Sequence, residues 1–180
     1  MVLNEIPTLV TDRLLLMPLN TSYCSNRYVE WMNDPEIIQY LDSGSDYTRE
    51  KLMAYLQHVE TNKIYFWAIL IAQSKLHIGN IKIDPVNEKH GLGEYGILIG
   101  DKGEWGKGYA KEASQIVFKY CFEKLQLRKI TLGVVENNKP AVELYKKMGF
   151  VTEGYFLKHA VYEGLYCNTL RMSLFNQAIQ

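Results

Sequence analysis

Gly103-Glu104-Trp105-Gly106-Lys107-Gly108-Tyr109-Ala110 stands between an apolar run, Glu94 to Gly100 (EYGILIG), and a stretch of helical periodicity from about Tyr109 to Leu125. Glycines let a chain turn sharply and aim its N–H groups at one point. The first N–H groups of a helix lack intrahelical partners, and the helix dipole is positive at that end. Strand, glycine turn and helix start therefore make a seat for a phosphate or diphosphate, to which Lys107 adds a formal charge. A glycine-rich turn without a ligand is the alternative that spacing alone leaves open.

Two familiar phosphate loops do not fit. A nucleoside-triphosphate loop needs a glycine at position 101 and a hydroxyl after Lys107; Asp101 and Gly108 stand there. A dinucleotide loop reads G-x-G-x-x-G after the first strand of its unit. Here the order is G-x-x-G-x-G, after the fourth expected strand.

Working outward, Arg13 to Leu19 reads as a strand, and Asn20 or Thr21 as the cap of a helix running to Met32. Asp34-Pro35 ends that helix, and Ile37 to Leu41 reads as a short turn. Thr48 opens a second helix through Leu56 and Val59. Phe66 to Ala72 (FWAILIA), apolar throughout, reads as a strand covered on both faces. Ile78 to Asp84 is another, followed by a turn at Pro85 and Asn87. Ala110, Ala113, Val117, Tyr120 and Cys121 fall on one face of the long helix. Lys129 to Val135 is the next strand. Pro140 opens a helix ending at Gly149, lined by Ala141, Leu144, Tyr145 and Met148. Val151 to Ala160 and Tyr166 to Leu174 are the last two strands. The order implies an α/β (α+β) layered sheet, its fourth and fifth strands parallel across the long helix.

The bulk properties limit function. A chain of 180 residues, 47% hydrophobic, suits one domain, 1–180. Twenty basic residues balance twenty acidic ones, which argues against a nucleic-acid groove. No apolar run has the roughly 18 residues of a membrane span, and the first ten residues lack the pattern of a signal peptide. A cytoplasmic protein without membrane contact is expected. Cys24, Cys121 and Cys167 make neither a disulfide framework nor a metal spacing. His77 and His90 have no metal-ligand partner at useful spacing, so no metal is expected.

At Trp105-Gly106-Lys107-Gly108-Tyr109-Ala110 the chain resembles the GNAT superfamily of acyl-CoA N-acyltransferases, whose diphosphate loop reads Q/R-x-x-G-x-G/A. Gly108 and Ala110 match, and Trp105 departs. The W-G-K-G-Y-A form resembles the branch with ribosomal-protein N-terminal, spermidine and amino-sugar acetyltransferases. Thr11-Asp12-Arg13-Leu14 is similar to that branch's start. Asn138 to Phe150 is similar to its second motif, N-x-x-A-x-x-x-Y-x-x-x-G-F. The end, Glu163-Gly164 through Tyr166 to Arg171-Met172, fits as well. The resemblance implies a mixed, splayed central sheet of about seven strands flanked by about four helices. It also implies acetyl-CoA as co-substrate and direct acetyl transfer to a primary amine through a tetrahedral intermediate.

Residue by residue, the resemblance makes Glu94 the base, acting through water, and Tyr145 the proton donor to the leaving thiolate. A solvated strand glutamate and a core tyrosine are the plainer readings. Main-chain N–H groups near Leu98 and Ile99 become the acetyl-carbonyl donors. Trp105, Gly106, Lys107, Gly108, Tyr109 and Ala110 become the diphosphate seat. Asn138 bonds the pantetheine amides or caps its helix, beside Ala141. Tyr28, Trp31, Tyr40 and Trp67 are pocket candidates, although such aromatics are more often core, and His159 is an outside candidate for acceptor contact.

The acceptor stays open among a protein N-terminus, an amino sugar and a polyamine. Glu30, Asp34, Glu36, Asp42 and Asp46 hint at tolerance of a polycation. A non-catalytic acyl-CoA sensor is the competing class, and a homo-oligomer stays open.

Overall fold

Eight strands and five α-helices follow one another in the computed structural model, which describes residues 5–41, 45–162 and 164–178. Asp42 and Glu163, named above, lie outside those residues. The strands are β1 (Leu9–Val10), β2 (Leu14–Pro18), β3 (Tyr65–Ile71), β4 (His77–Asn87), β5 (Leu92–Ile99), β6 (Lys129–Val135), β7 (Val151–Tyr162) and β8 (Leu165–Phe175). The helices are α1 (Asn26–Asn33), α2 (Pro35–Ile38), α3 (Arg49–Thr61), α4 (Tyr109–Glu123) and α5 (Lys139–Lys147). The strands form one mixed sheet in the order β1-β2-β3-β4-β5-β6-β8-β7. β5 and β6, joined through α4, are parallel as expected; the ladder occupies the first three residues of each, Leu92↔Lys129 to Glu94↔Thr131.

The additional elements are short ones. β1 pairs through Leu9↔Leu16 and Val10↔Leu15, and two residues carry no readable period. α2 is one turn, capped by Asp34 and opened by Pro35. The helix expected from Asn20 or Thr21 is divided because two good caps compete. Asn20 Oδ1 accepts from Ser22 N–H at 2.9 Å and starts a 3-10 turn, Thr21–Tyr23. Ser25 then caps α1 afresh, accepting from Tyr28 N–H at 3.2 Å. The turn expected at Pro85 comes later. β4 runs on to Asn87, whose Oδ1 accepts from His90 N–H at 3.0 Å.

Backbone contacts divide the chain into two compact units, Met1–Asp84 with Gly96–Val117, and Pro85–Tyr95 with Phe118–Gln180. In the first, Leu19, Tyr28, Trp31, Leu52, Leu56, Phe66 and Leu70 form one apolar cluster. α3 joins it through Leu52, Leu56 and Val59, the i, i+4, i+7 face expected of an amphipathic helix. In the second, the rings of Tyr95, Phe118, Tyr145 and Phe150 meet at centroid distances of 5.1–6.2 Å. Val142 is the buried residue of α5. Among the described residues no helix is long and apolar enough to cross a membrane.

Gly100 ends β5 under the Trp31 ring. A Cβ there would lie 2.1 Å from a ring carbon of Trp31, which is only 5% exposed and has nowhere to go. Gly100→Ala therefore overpacks this core, at a cost of about 1–3 kcal/mol. The expected readout is a melting temperature lower by about 2–4 °C per kcal/mol. An unchanged melt would show that Trp31 is free to shift.

Candidate active site

The glycine turn opens α4 within the first unit. The first intrahelical bond runs from Glu112 N–H to the Gly108 carbonyl at 3.1 Å, so the N–H groups of Tyr109, Ala110 and Lys111 precede any partner within the helix. Gly106 has φ +75° and Gly108 φ +83°, the left-handed region that costs an L side chain strain. A Cβ at Gly106 would meet nothing within 4 Å, and one at Gly108 only Arg13 Nη2 at 3.6 Å. These glycines answer a backbone requirement, and open space lies above them.

The turn is braced at both ends. Trp105 Nε1 donates to the Ile99 carbonyl at 2.8 Å, tying the loop to the end of β5. Asp101 Oδ1 accepts from Gly103 N–H at 3.0 Å and its carboxylate also holds Arg27. From the β2 side, Arg13 Nη1 donates to the Lys107 carbonyl at 3.0 Å, and its guanidinium lies 4.6 Å from the Tyr109 ring centre. Glu112 accepts from Arg13 Nε at 2.7 Å and from Thr11 Oγ1 at 2.6 Å. Sequence reasoning gave Arg13 and Glu112 no role here; the Thr11-Asp12-Arg13-Leu14 similarity was the available signal.

Lys107 Nζ lies 2.8 Å from Glu104, whose hydrogen bond raises the ammonium's pKa. Arg13 and Lys107 are thus each matched by a carboxylate. The uncompensated positive element is the row of main-chain N–H groups with the helix dipole behind it. Leu98 and Ile99 stand just before the turn. Gly79 allows β4 to approach them, since a Cβ there would sit 2.2 Å from the Leu98 carbonyl oxygen. Gly100 and Asp101 N–H both donate to the Ile78 carbonyl, at 2.9 and 3.1 Å.

In the second unit, Glu94 is clamped. Arg171 Nη1 and Nη2 donate to its two carboxylate oxygens at 2.7 Å each, and Thr131 Oγ1 adds a third bond at 2.6 Å. Half-burial alone would raise the carboxyl's pKa. The bonds from Arg171 and Thr131 and the charge of Arg171 outweigh it, and the net shift is downward. Glu94 is held ionised and fixed in direction. Arg171 reaches it from β8 across β6, a juxtaposition of residues 77 apart that no local pattern announces.

Tyr145 sits elsewhere relative to β5. Its ring meets Tyr95 edge-on at 5.9 Å, and Tyr95 projects from the strand face opposite to Glu94. Burial pushes the Tyr145 phenol up to about 12, so it stays protonated at neutral pH. Asn138 caps α5, its Oδ1 accepting from Ala141 N–H at 3.3 Å.

The other candidates separate cleanly. Trp67 is wholly buried and donates to the Pro7 carbonyl at 2.7 Å. His77 is ringed by Tyr23, Tyr28 and Trp31 at 5.0–5.8 Å, and burial chiefly lowers its pKa; it is a neutral core histidine. His159 lies 4.9 Å from Phe156, ring centre to ring centre and tilted by 54°, and Phe156 is itself exposed. A cavity of about 240 Å³ in the first unit is lined by Arg27, Glu30, Trp31, Asp34, Asp101 and Lys102, among others.

A family profile for the acetyltransferase (GNAT) domain matches residues 13–151. The chain belongs to the GNAT acetyltransferase family. This GNAT chain is 33% identical over 118 residues to the spermidine N(1)-acetyltransferase of Vibrio cholerae, covering 66% of itself and 67% of that protein. It is also similar to the crystal structure of spermidine N-acetyltransferase from Vibrio cholerae in complex with CoA and spermine, with 28% identity and a TM-score of 0.83 over 92% of this chain and 96% of that one. The ribosomal-protein-S5-alanine acetyltransferase of Vibrio fischeri shares the fold, with 18% identity and a TM-score of 0.84 over 97% and 99% of the two chains.

Proposed function

We propose that this GNAT acetyltransferase moves the acetyl group of acetyl-CoA to a primary amine of a small polyamine. The observation that carries the reading is the turn at Gly106 and Gly108, whose left-handed glycines lead into helix-start amides that precede the first intrahelical bond. Such a seat suits the diphosphate of coenzyme A: main-chain donors, a dipole and no crowding side chain. Gly106, Lys107, Gly108, Tyr109 and Ala110 would hold it, with Trp105 anchoring the turn. Asn138 and Ala141, already joined in a helix cap, would lie along the pantetheine. Acetyl-CoA, when bound, supplies the activated acetyl group and a thiolate leaving group.

The protein's own residues then have three tasks. An alkylammonium has a pKa of about 10.4 and no lone pair, so it must lose a proton. Glu94, ionised at neutral pH, takes that proton through water. The N–H groups near Leu98 and Ile99 stabilise charge on the carbonyl oxygen. Tyr145 donates a hydrogen bond to the departing sulfur.

The polyamine acceptor rests on the spermidine-acetylating relatives. The cavity beside Glu30, Asp34 and Asp101 suits a cationic chain, although Arg27 and Lys102 offset part of that charge. Thiol release from acetyl-CoA is expected with spermidine and spermine, and not with amino-sugar nucleotides or peptides bearing free N-termini. Turnover confined to peptides would overturn the acceptor; cofactor binding with no turnover on any amine would make the protein a sensor.

Tyr145→Phe should lower kcat by roughly 10–10³-fold, because a thiolate of pKa near about 8.5 leaves tolerably without help. A kcat within twofold of the parent would remove Tyr145 from the mechanism.

A further inference from the structure

Lys82 of β4 is a cation on the sheet face beside the acidic cavity, and neither the cofactor turn nor the chemistry above uses it. Its place follows from contacts within the first unit. Lys82 pairs with Phe66 of β3, a member of the apolar cluster shared with α1 and α3. A Cβ at Gly96 of β5 would lie 3.4 Å from Lys82 Cε and 3.5 Å from its Cγ, so the lysine stem runs over bare backbone. A Cβ at Gly100 would point at the Trp31 ring, which lines the cavity. Alternation puts Leu98, between them, on the same face. One row, about 13 Å long at about 3.3 Å per residue, thus has Lys82 at one end, Leu98 in the middle and the cavity at the other.

The two ends differ in charge. The cavity sets Glu30, Asp34 and Asp101 against Arg27 and Lys102, and Lys102 Nζ lies 2.7 Å from Asp34. Among the described residues, the Lys82 ammonium has one carboxylate within 4 Å, that of Asp84 at 3.7 Å, beyond hydrogen-bond reach. The Lys82 and Asp84 side chains are 36% and 37% exposed, so solvent and salt screen this end only in part.

We propose that Lys82 is a specificity-determining residue that limits how much positive charge an acceptor carries past Leu98. The proposal rests on the polyamine reading above. A cationic chain held in the acidic cavity, with its reacting amine near Leu98, meets Lys82 only where it carries a further ammonium group, and like charges at close range repel. Spermine has more ammonium groups than spermidine, so Lys82 disfavours spermine of the two. The selection is a repulsive element set beside an attractive one, the usual construction of a specific site.

Steady-state rates with spermine and spermidine at one acetyl-CoA concentration test this. Lys82→Met keeps an apolar stem over Gly96 and removes the charge. Its ratio of kcat/KM for spermine to that for spermidine should exceed the parent's by about threefold or more. Lys82→Glu should go further in the same direction, and Lys82→Arg, which keeps the charge, should stay at the parent's ratio. At about 1 M salt, where the Debye length is about 3 Å, the differences should largely vanish, whereas an effect of packing would persist. If Lys82→Met does not fold, Lys82→Gln removes the same charge. An unchanged ratio in folded variants without the charge overturns the proposal, as does a changed ratio indifferent to salt. Both outcomes leave the parent's polyamine turnover standing; a parent that acetylates no polyamine overturns the acceptor reading and this proposal with it.

Discussion

Gly108→Val is expected to raise the KM for acetyl-CoA about ten- to a hundredfold while leaving the amine KM within about twofold. A β-branched residue at φ +83° carries strain of about 1–3 kcal/mol, and each 1.4 kcal/mol of lost binding is about tenfold. A Cβ by itself does not crowd the free protein, since its nearest neighbour is Arg13 Nη2 at 3.6 Å. Relief of the strain turns the amides out of line, and the added methyls occupy the space a diphosphate would enter. Lys107→Ala should do less, since Glu104 already offsets that charge. Steady-state kinetics varying one substrate at a time separates the two constants. A Gly108→Val enzyme with the parent's acetyl-CoA KM would show that the diphosphate does not bind there.

Glu94→Gln should lower kcat by about 10²–10⁴-fold, the usual contribution of a positioned base. Glutamine keeps the shape but breaks the two-pronged ion pair with Arg171, because its NH2 cannot accept from the guanidinium, so the loss of activity alone does not identify a base. The pH dependence separates this role from a structural one. The depressed Glu94 carboxyl is ionised through neutrality, and activity is lost as pH falls through its lowered pKa. Arg171→Met removes two bonds and a charge, while the upward push of burial remains. The acid limb of kcat should therefore move to higher pH. The groups facing Glu94 are Arg171 from β8 and Thr131 and the Gly133 main chain from β6, with Glu153 of β7 acting on Arg171. An acid limb that stays put in Arg171→Met would assign that limb to another group. Full activity in Glu94→Gln would remove Glu94 from the chemistry.

The parts of this protein that were legible in advance are those encoded over short spans. The apolar run of β3, the face of α4 through Ala113, Val117 and Cys121, and the cap at Thr48 are each legible from neighbours a few residues apart, while Asn138 reads equally as a cap or a pantetheine contact. β1 and α2 went unseen as regular elements because two and four residues leave no period. Competing caps at Asn20 and Ser25 divided what reads as one helix. The glycine turn could be placed, but its braces could not. Arg13 and Glu112 are 99 residues apart, as are the ends of no local motif. The catalytic expectation met the same limit. Glu94 follows from the family resemblance and its place on a strand, while the partner that sets its ionisation, Arg171, comes from the far end of the chain.

The sequence by itself determined the order of the longer elements, the place of the glycine turn before α4 and the family, because turn composition and periodicity are properties of adjacent residues. The tertiary structure decided charge states and neighbours: which carboxylates are matched, which histidine is buried, and which lysine is left with a distant partner. Those depend on distances between residues far apart in the chain, and only folding sets them.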